Sequence, residues 1–290
     1  MRAFVLSGGA SLGAIEVGML AALYERDIRP DLVVGTSVGA VNGAFIASRP
    51  PTVETAAELA GVWRSIHRGD VFPINPLTGF IGFVGRRSHL VPEGNLRRLI
   101  ERHVEFDRLE DAPVPLHVVA TDAADGRELR LSAGPAVDAV MASAAIPGVF
   151  PPVAWNGLAL IDGGISNNTP ISHALELGSD EVYVLPTGHA CALNEVPNGA
   201  VAMLVHATTL LVQQRLVREI DDLRDRIEAD LVVLPPPCPL DVNPVDFSRA
   251  DELIERARSD AAALLDGAGG GRVPLSMSVD RLRPHHHVPV

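Results

Sequence analysis

Cysteine is nearly missing from this chain: Cys191 and Cys238 are the only two in 290 residues. They form no Cys-x-x-Cys pair and show no metal-ligand spacing. Buried thiols in a reducing compartment are therefore expected. Basic charge is also scarce. Lys and Arg number 24 against 36 Asp and Glu, a net charge of −12. That balance argues against nucleic acid as a partner and against electrostatic docking on an anionic membrane. No long apolar run occurs. The most apolar stretch, Ala200 to Val212, is broken by His206 and two threonines. It falls short of the roughly 20 residues that span a bilayer. The apolar run Ala3 to Leu6 is too short for a secretory signal. No internal repeat is visible. A cytoplasmic location is expected, with any membrane contact peripheral and transient.

What is present is a large apolar fraction, 47% of the residues, ample for one extensive core. The reading is a single domain over 1–266. A flexible tail is expected over 267–290, where a glycine run precedes Pro284 and His285 to His287.

The chain is organised around residues 31–40. Leu32 to Val34 is a short apolar run that reads as a buried strand, and Val38 to Ser48 is an Ala-rich, helix-compatible segment. Ser37 falls on the tight turn between them, with Gly35 and Gly39 two residues to either side. A serine on so sharp a turn has unusual backbone angles, and flanking side chains would collide. The helix that follows directs its free N–H groups and the positive end of its dipole toward Ser37, which favours developing negative charge there.

A second strand–loop–helix unit opens the chain. Ala3 to Leu6 leads into Ser7-Gly8-Gly9-Ala10-Ser11-Leu12-Gly13, and Ile15, Met19, Ala22 and Leu23 then recur at helical spacing. Such a loop binds anions through backbone N–H groups. A dinucleotide site would need an acid near the end of the second strand, and Gly35-Thr36-Ser37 supplies none. A phosphate loop would end Gly-Lys-Ser/Thr, which is lacking too. An oxyanion loop beside Ser37 fits, and a structural glycine turn remains an alternative.

Leu158 to Ile161 is a short apolar strand that delivers Asp162-Gly163-Gly164. An Asp there is held near a cleft with little side-chain cover, although a turn Asp capping its own backbone has the same pattern. None of the ten histidines lies in a motif that would complete a Ser-His-Asp triad.

Two further stretches carry expectations. Val71 to Val84 is apolar and broken by Pro and Gly, and holds Phe72, Phe80, Ile81 and Phe83 in a chain with 4% aromatics. It reads as a buried cap or as a lid over an apolar site. Ala200 to Ile227 reads as one long helix. Met203, Leu210, Leu211, Val217, Ile220 and Leu223 are spaced roughly as a stripe, with core packing expected.

Gly8 to Gly13, Gly35-Thr36-Ser37-Val38-Gly39 and Asp162-Gly163-Gly164, in this order and each after a predicted strand, resemble the patatin-like phospholipase family. Ala142 to Pro152 and Asn167-Asn168-Thr169-Pro170 add to the resemblance, which covers about residues 3 to 186. It implies a three-layer α/β/α fold with a mainly parallel central sheet. It also implies hydrolysis of a lipid or fatty-acyl ester by a Ser–Asp dyad, with no metal or other cofactor. Ser37 matches the nucleophile and Asp162 the second dyad member. Gly8, Gly9 and Ala10 match the oxyanion loop. Gly13, Gly35, Gly39, Gly163 and Gly164 are the elbow and dyad-loop glycines. Ala10 stands where the family usually has a third Gly, and Leu12 where it has Arg or Lys. The oligomeric state is left open. An acyltransferase using the same serine and a non-catalytic lipid-binding protein stay open as alternatives.

Overall fold

The structure is a computed structural model and describes residues 1–73, 88–188, 198–224, 229–240 and 242–267. From residue 268 onward the expected tail lies outside the described residues.

One sheet organises the chain. One of its inner strands, β1 (Arg2–Leu6), pairs in parallel with β2 (Leu32–Thr36) on one side and β7 (Glu181–Leu185) on the other. β3 (Leu116–Asp122) extends the first side and β8 (Asp230–Val233) the second, both in parallel. β6 (Leu158–Asp162) then pairs antiparallel with β3, and β5 (Val153–Trp155) with β6. β4 (Glu128–Leu131) also pairs antiparallel with β3. The central strands are continuous apolar runs because both faces of the sheet are covered. In β1, Phe4 and Leu6 enter the larger core on one face, while Ala3 and Val5 enter the smaller core on the other.

The larger core is covered by α1 (Ala14–Tyr24), α2 (Val38–Ala47), α3 (Val53–Ser65) and α9 (Ala250–Gly267), with the short α4 (Arg68–Val71), α5 (Gly94–His103) and α6 (Ala136–Ser143) beside them. α1 and α9 lie very close. A Cβ at Gly18 would run into the Ile254 carbonyl, so only glycine permits this approach. The smaller core is covered by α7 (Ile171–Glu176), through Ile171 and Ala174, and by α8 (Ala200–Arg224), through Leu216 and Ile220. This is a three-layer α/β/α architecture around a mostly parallel sheet.

Two expectations change. Only the second half of α8 packs. Val217, Ile220 and Leu223 join the smaller core, whereas Met203, Leu210 and Leu211 are exposed, Leu211 at 68%. Helical spacing tells which residues share a face, not whether anything covers that face. Cys238 is disulfide-bonded rather than a free thiol. Spacing along the chain carries no information about which Cβ atoms approach in space.

Candidate active site

β2 ends at Thr36 and α2 begins at Val38, so Ser37 makes the whole turn, with φ 54° and ψ −123°. A non-glycine residue with φ in this range is strained. The turn is tight because Gly39 presses on β1: a Cβ there would meet the Leu6 carbonyl. A Cβ at Gly35 would lie 2.5 Å from the Gly39 carbonyl oxygen. The Ser37 N–H donates to Ser143 Oγ at 2.8 Å, and that hydroxyl donates to the Val119 carbonyl at 2.6 Å. Ser37 is thereby tied to α6 and β3.

The Ser37 hydroxyl donates to Asp162 Oδ2 at 2.6 Å. Sheet register brings the pair together. Thr36 lies opposite Val119 on one side of β3, and Asp162 lies opposite Ala120 on the other. Asp162 Oδ1 accepts the Gly164 N–H at 2.7 Å, and the Asp162 N–H donates to the Ala145 carbonyl at 3.0 Å. Gly163 packs against the Val119 carbonyl, where a Cβ could not fit. Both Ser37 and Asp162 are buried. Burial pushes the Asp162 carboxyl up to about 6, against the lowering effect of the bonds from Ser37 and Gly164.

The loop after β1 lies against Ser37. A Cβ at Gly8 would sit 3.0 Å from Ser37 Cβ. The Gly8 N–H is already used, donating to the Asn168 carbonyl at 3.1 Å. Among the described residues the N–H groups of Gly9 and Ala10 have no acceptor. Ala10 has φ 52°, a conformation that favours glycine. Gly13 packs against Val38 and Trp63, joining the loop to α2 and α3.

Two cavities meet at Ser37. One, about 80 Å³, is walled by apolar side chains that include Val41, Phe45, Trp63, Leu99 and Phe150. The other, about 270 Å³, includes Asp162, Gly8, Gly9, Asn168 and Thr187. Ala10, Ser37 and Ile146 border both. Val71 and Phe72 line the apolar cavity, and Phe72 stacks on Phe150 with ring centroids 5.6 Å apart. Phe80, Ile81 and Phe83, expected in the same cap, lie outside the described residues.

Residues 4–175 match the family model of patatin-like phospholipases. The chain belongs to the patatin-like phospholipase family. It is 28% identical over 192 residues to lysophospholipase NTE1 of Mycosarcoma maydis, covering 63% of this chain and 9% of that protein. It is 30% identical to lysophospholipase NTE1 of Cryptococcus neoformans, covering 63% of this chain and 11% of that protein. The chain thus matches about a tenth of the length of these curated relatives. The crystal structure of VipD from Legionella pneumophila is 16% identical with TM-score 0.46, covering 92% of this chain and 67% of that chain. Among the described residues no helix of this patatin-like chain is long and apolar enough to cross a membrane.

Two supporting elements of the patatin-like site were not singled out from the sequence. One is Ser143, whose only trace is its place in the stretch Ala142 to Pro152. The other is Glu16 on α1, fully buried beneath the loop. Glu16 Oε1 accepts the Ser7 N–H at 2.7 Å and Oε2 accepts Asn42 Nδ2 at 2.8 Å. Asn42 in turn accepts Trp63 Nε1 at 2.9 Å. Burial raises the Glu16 carboxyl well above the usual carboxylate range, opposed by those bonds. The available signal was a lone acid on an otherwise apolar helix, which is costly unless its oxygens are paired.

Proposed function

We propose that this chain is a serine acyl-ester hydrolase of lipid substrates, with Ser37 as nucleophile and Asp162 as its base. The observation that carries this reading is the 2.6 Å bond from the Ser37 hydroxyl to a buried Asp162. A serine hydroxyl is a weak nucleophile until a base takes its proton, and a carboxylate raised to about 6 is a better base than an ordinary one.

In this mechanism Ser37 Oγ attacks the ester carbonyl carbon as its proton passes to Asp162 Oδ2. The carbonyl oxygen becomes an oxyanion, held by the Gly9 and Ala10 N–H groups and favoured by the N-terminal end of α2. The intermediate collapses, the bond to the leaving alcohol breaks, and Asp162 gives that alcohol its proton. Water then attacks the acyl-Ser37 ester while Asp162 accepts its proton. Collapse releases the fatty acid, and the proton returns to Ser37 Oγ. The fatty chain occupies the apolar cavity, where each buried methylene contributes about 0.8 kcal/mol. The relatives' names as lysophospholipases and the family match support a lipid ester as substrate.

The test is covalent labelling with a fluorophosphonate, combined with hydrolysis of a nitrophenyl ester. Wild-type protein should label on Ser37 and turn over, and Ser37→Ala should do neither. Wild-type turnover by Ser37→Ala would end this reading. Product analysis with added glycerol separates hydrolysis from acyl transfer, since both pass through the same acyl-enzyme.

A further inference from the structure

The hydrolase reading leaves the leaving alcohol unspecified, and the larger pocket bears on it; the inference rests on that reading. Asp162, which must return a proton to the alcohol, borders the 270 Å³ pocket and not the apolar cavity. The leaving group therefore sits in that pocket. Among the described residues lining it, Asp162 is the only one that carries charge, and none is cationic.

The hydroxyl groups there are oriented by their own bonds. Thr187 Oγ1 donates to the Gly8 carbonyl at 2.6 Å, Thr208 Oγ1 to the Leu204 carbonyl at 2.9 Å, and Thr209 Oγ1 to the Val205 carbonyl at 3.0 Å. Each of these three threonines has given its single proton to the backbone, and its oxygen keeps lone pairs that accept, while Thr169 and Ser7, also in the lining, share a hydrogen bond between their hydroxyls at 2.9 Å. Leu12 and Leu240 add apolar wall.

A phosphodiester has only acceptor oxygens and a full negative charge. Among the described residues lining this pocket it would meet no cation, and it would lie beside an acidic side chain. A neutral polyol has hydroxyl protons to donate, which is what the three threonine oxygens lack. We propose that the larger pocket selects an uncharged polyhydroxy alcohol, so that the preferred substrate is a neutral acyl ester of the monoacylglycerol type rather than a phosphate-bearing lipid.

The test compares kcat/KM of the full chain on monodecanoylglycerol, decanoyl lysophosphatidylglycerol and decanoyl lysophosphatidylcholine, each below its aggregation threshold. The expected result is at least a tenfold preference for monodecanoylglycerol over both phosphate lipids. Leu12→Arg, which puts a cation on the pocket wall, should shrink that ratio at least threefold. A wild-type preference below tenfold overturns the proposal and leaves the hydrolase reading standing. A ratio unmoved by Leu12→Arg overturns the assignment of this pocket to the leaving group. Absence of turnover on all three esters, with Ser37 unlabelled by fluorophosphonate, overturns the hydrolase reading and this proposal together.

Discussion

The Ser143 hydroxyl holds the Ser37 backbone N–H at 2.8 Å while giving its own proton to the Val119 carbonyl at 2.6 Å. One buried side chain thus fastens the strained elbow to both α6 and β3. The bond supplies an acceptor to an N–H group that the turn leaves outside the helix ladder, and it fixes the direction of the Ser37 side chain toward Asp162.

Ser143→Ala should therefore leave a buried N–H unpaired, at a cost of about 1–3 kcal/mol. The expected outcome is a lower melting temperature together with a fall in kcat of about tenfold, since a displacement near 1 Å at a reacting group is costly. Calorimetry and steady-state kinetics on one preparation check both. Unchanged kcat would show that the elbow holds its geometry without Ser143.

Activity should depend on pH through Asp162. In the proposed mechanism Asp162 must be ionised to accept the serine proton, and burial places its carboxyl at about 6. kcat/KM should fall as pH drops through about 6, approaching tenfold per pH unit below it. A profile on a nitrophenyl ester that stays flat from pH 8 down to pH 5 would contradict this.

Asp162→Asn should separate stability from activity. The carboxyl's folded value, about 6, lies above its ordinary 3.8. Between those values the folded chain binds the proton more tightly than the unfolded chain does, so stability falls as pH rises through the window. Above it, the ionised carboxylate is a constant burden that asparagine lacks. The variant should be more stable than wild type at pH 7, on the order of 1–3 kcal/mol, with the gain vanishing below pH 4. Hydrolysis should drop by about 10²–10⁴. Melting curves at both pH values are the check, and a destabilised variant at pH 7 would refute the sign.

Glu16→Gln tests the support of the loop proposed to hold the oxyanion. Glu16 presents two acceptors to two donors, Ser7 N–H and Asn42 Nδ2. An amide must turn its own N–H₂ toward one of them. The loop carrying Gly9 and Ala10 should shift, and losing one oxyanion donor costs about 2.7–4 kcal/mol in the transition state. The expected signature is at least a tenfold loss in kcat with KM nearly unchanged, and weaker binding of a phosphonate transition-state analogue. Wild-type kcat would limit Glu16 to core packing.

Filling the apolar cavity should discriminate by chain length. Leu99→Trp places a larger side chain at a half-buried position on its wall. Hydrolysis of a decanoate ester should fall at least tenfold while an acetate ester loses less than threefold. Equal losses would remove this cavity from the acyl path.

The sequence by itself determined the local units: strands from short apolar runs, the strand–turn–helix around Ser37 from Gly35 and Gly39, and Asp162 at a strand end. These follow from sterics and periodicity between neighbours in the chain, which any reader of the residues can apply. Only the tertiary structure decided which distant groups meet. That Ser37 and Asp162 flank the same point of β3 depends on sheet register across 125 positions, with β6 running antiparallel. That Gly8 gives its N–H to Asn168, and that Glu16 takes the Ser7 N–H, depends on how separate elements dock. The half of α8 carrying Met203, Leu210 and Leu211 is exposed because nothing among the described residues covers it. Periodicity assigns a face to each side chain, whereas packing assigns a neighbour to each face, and the second is a property of the whole chain.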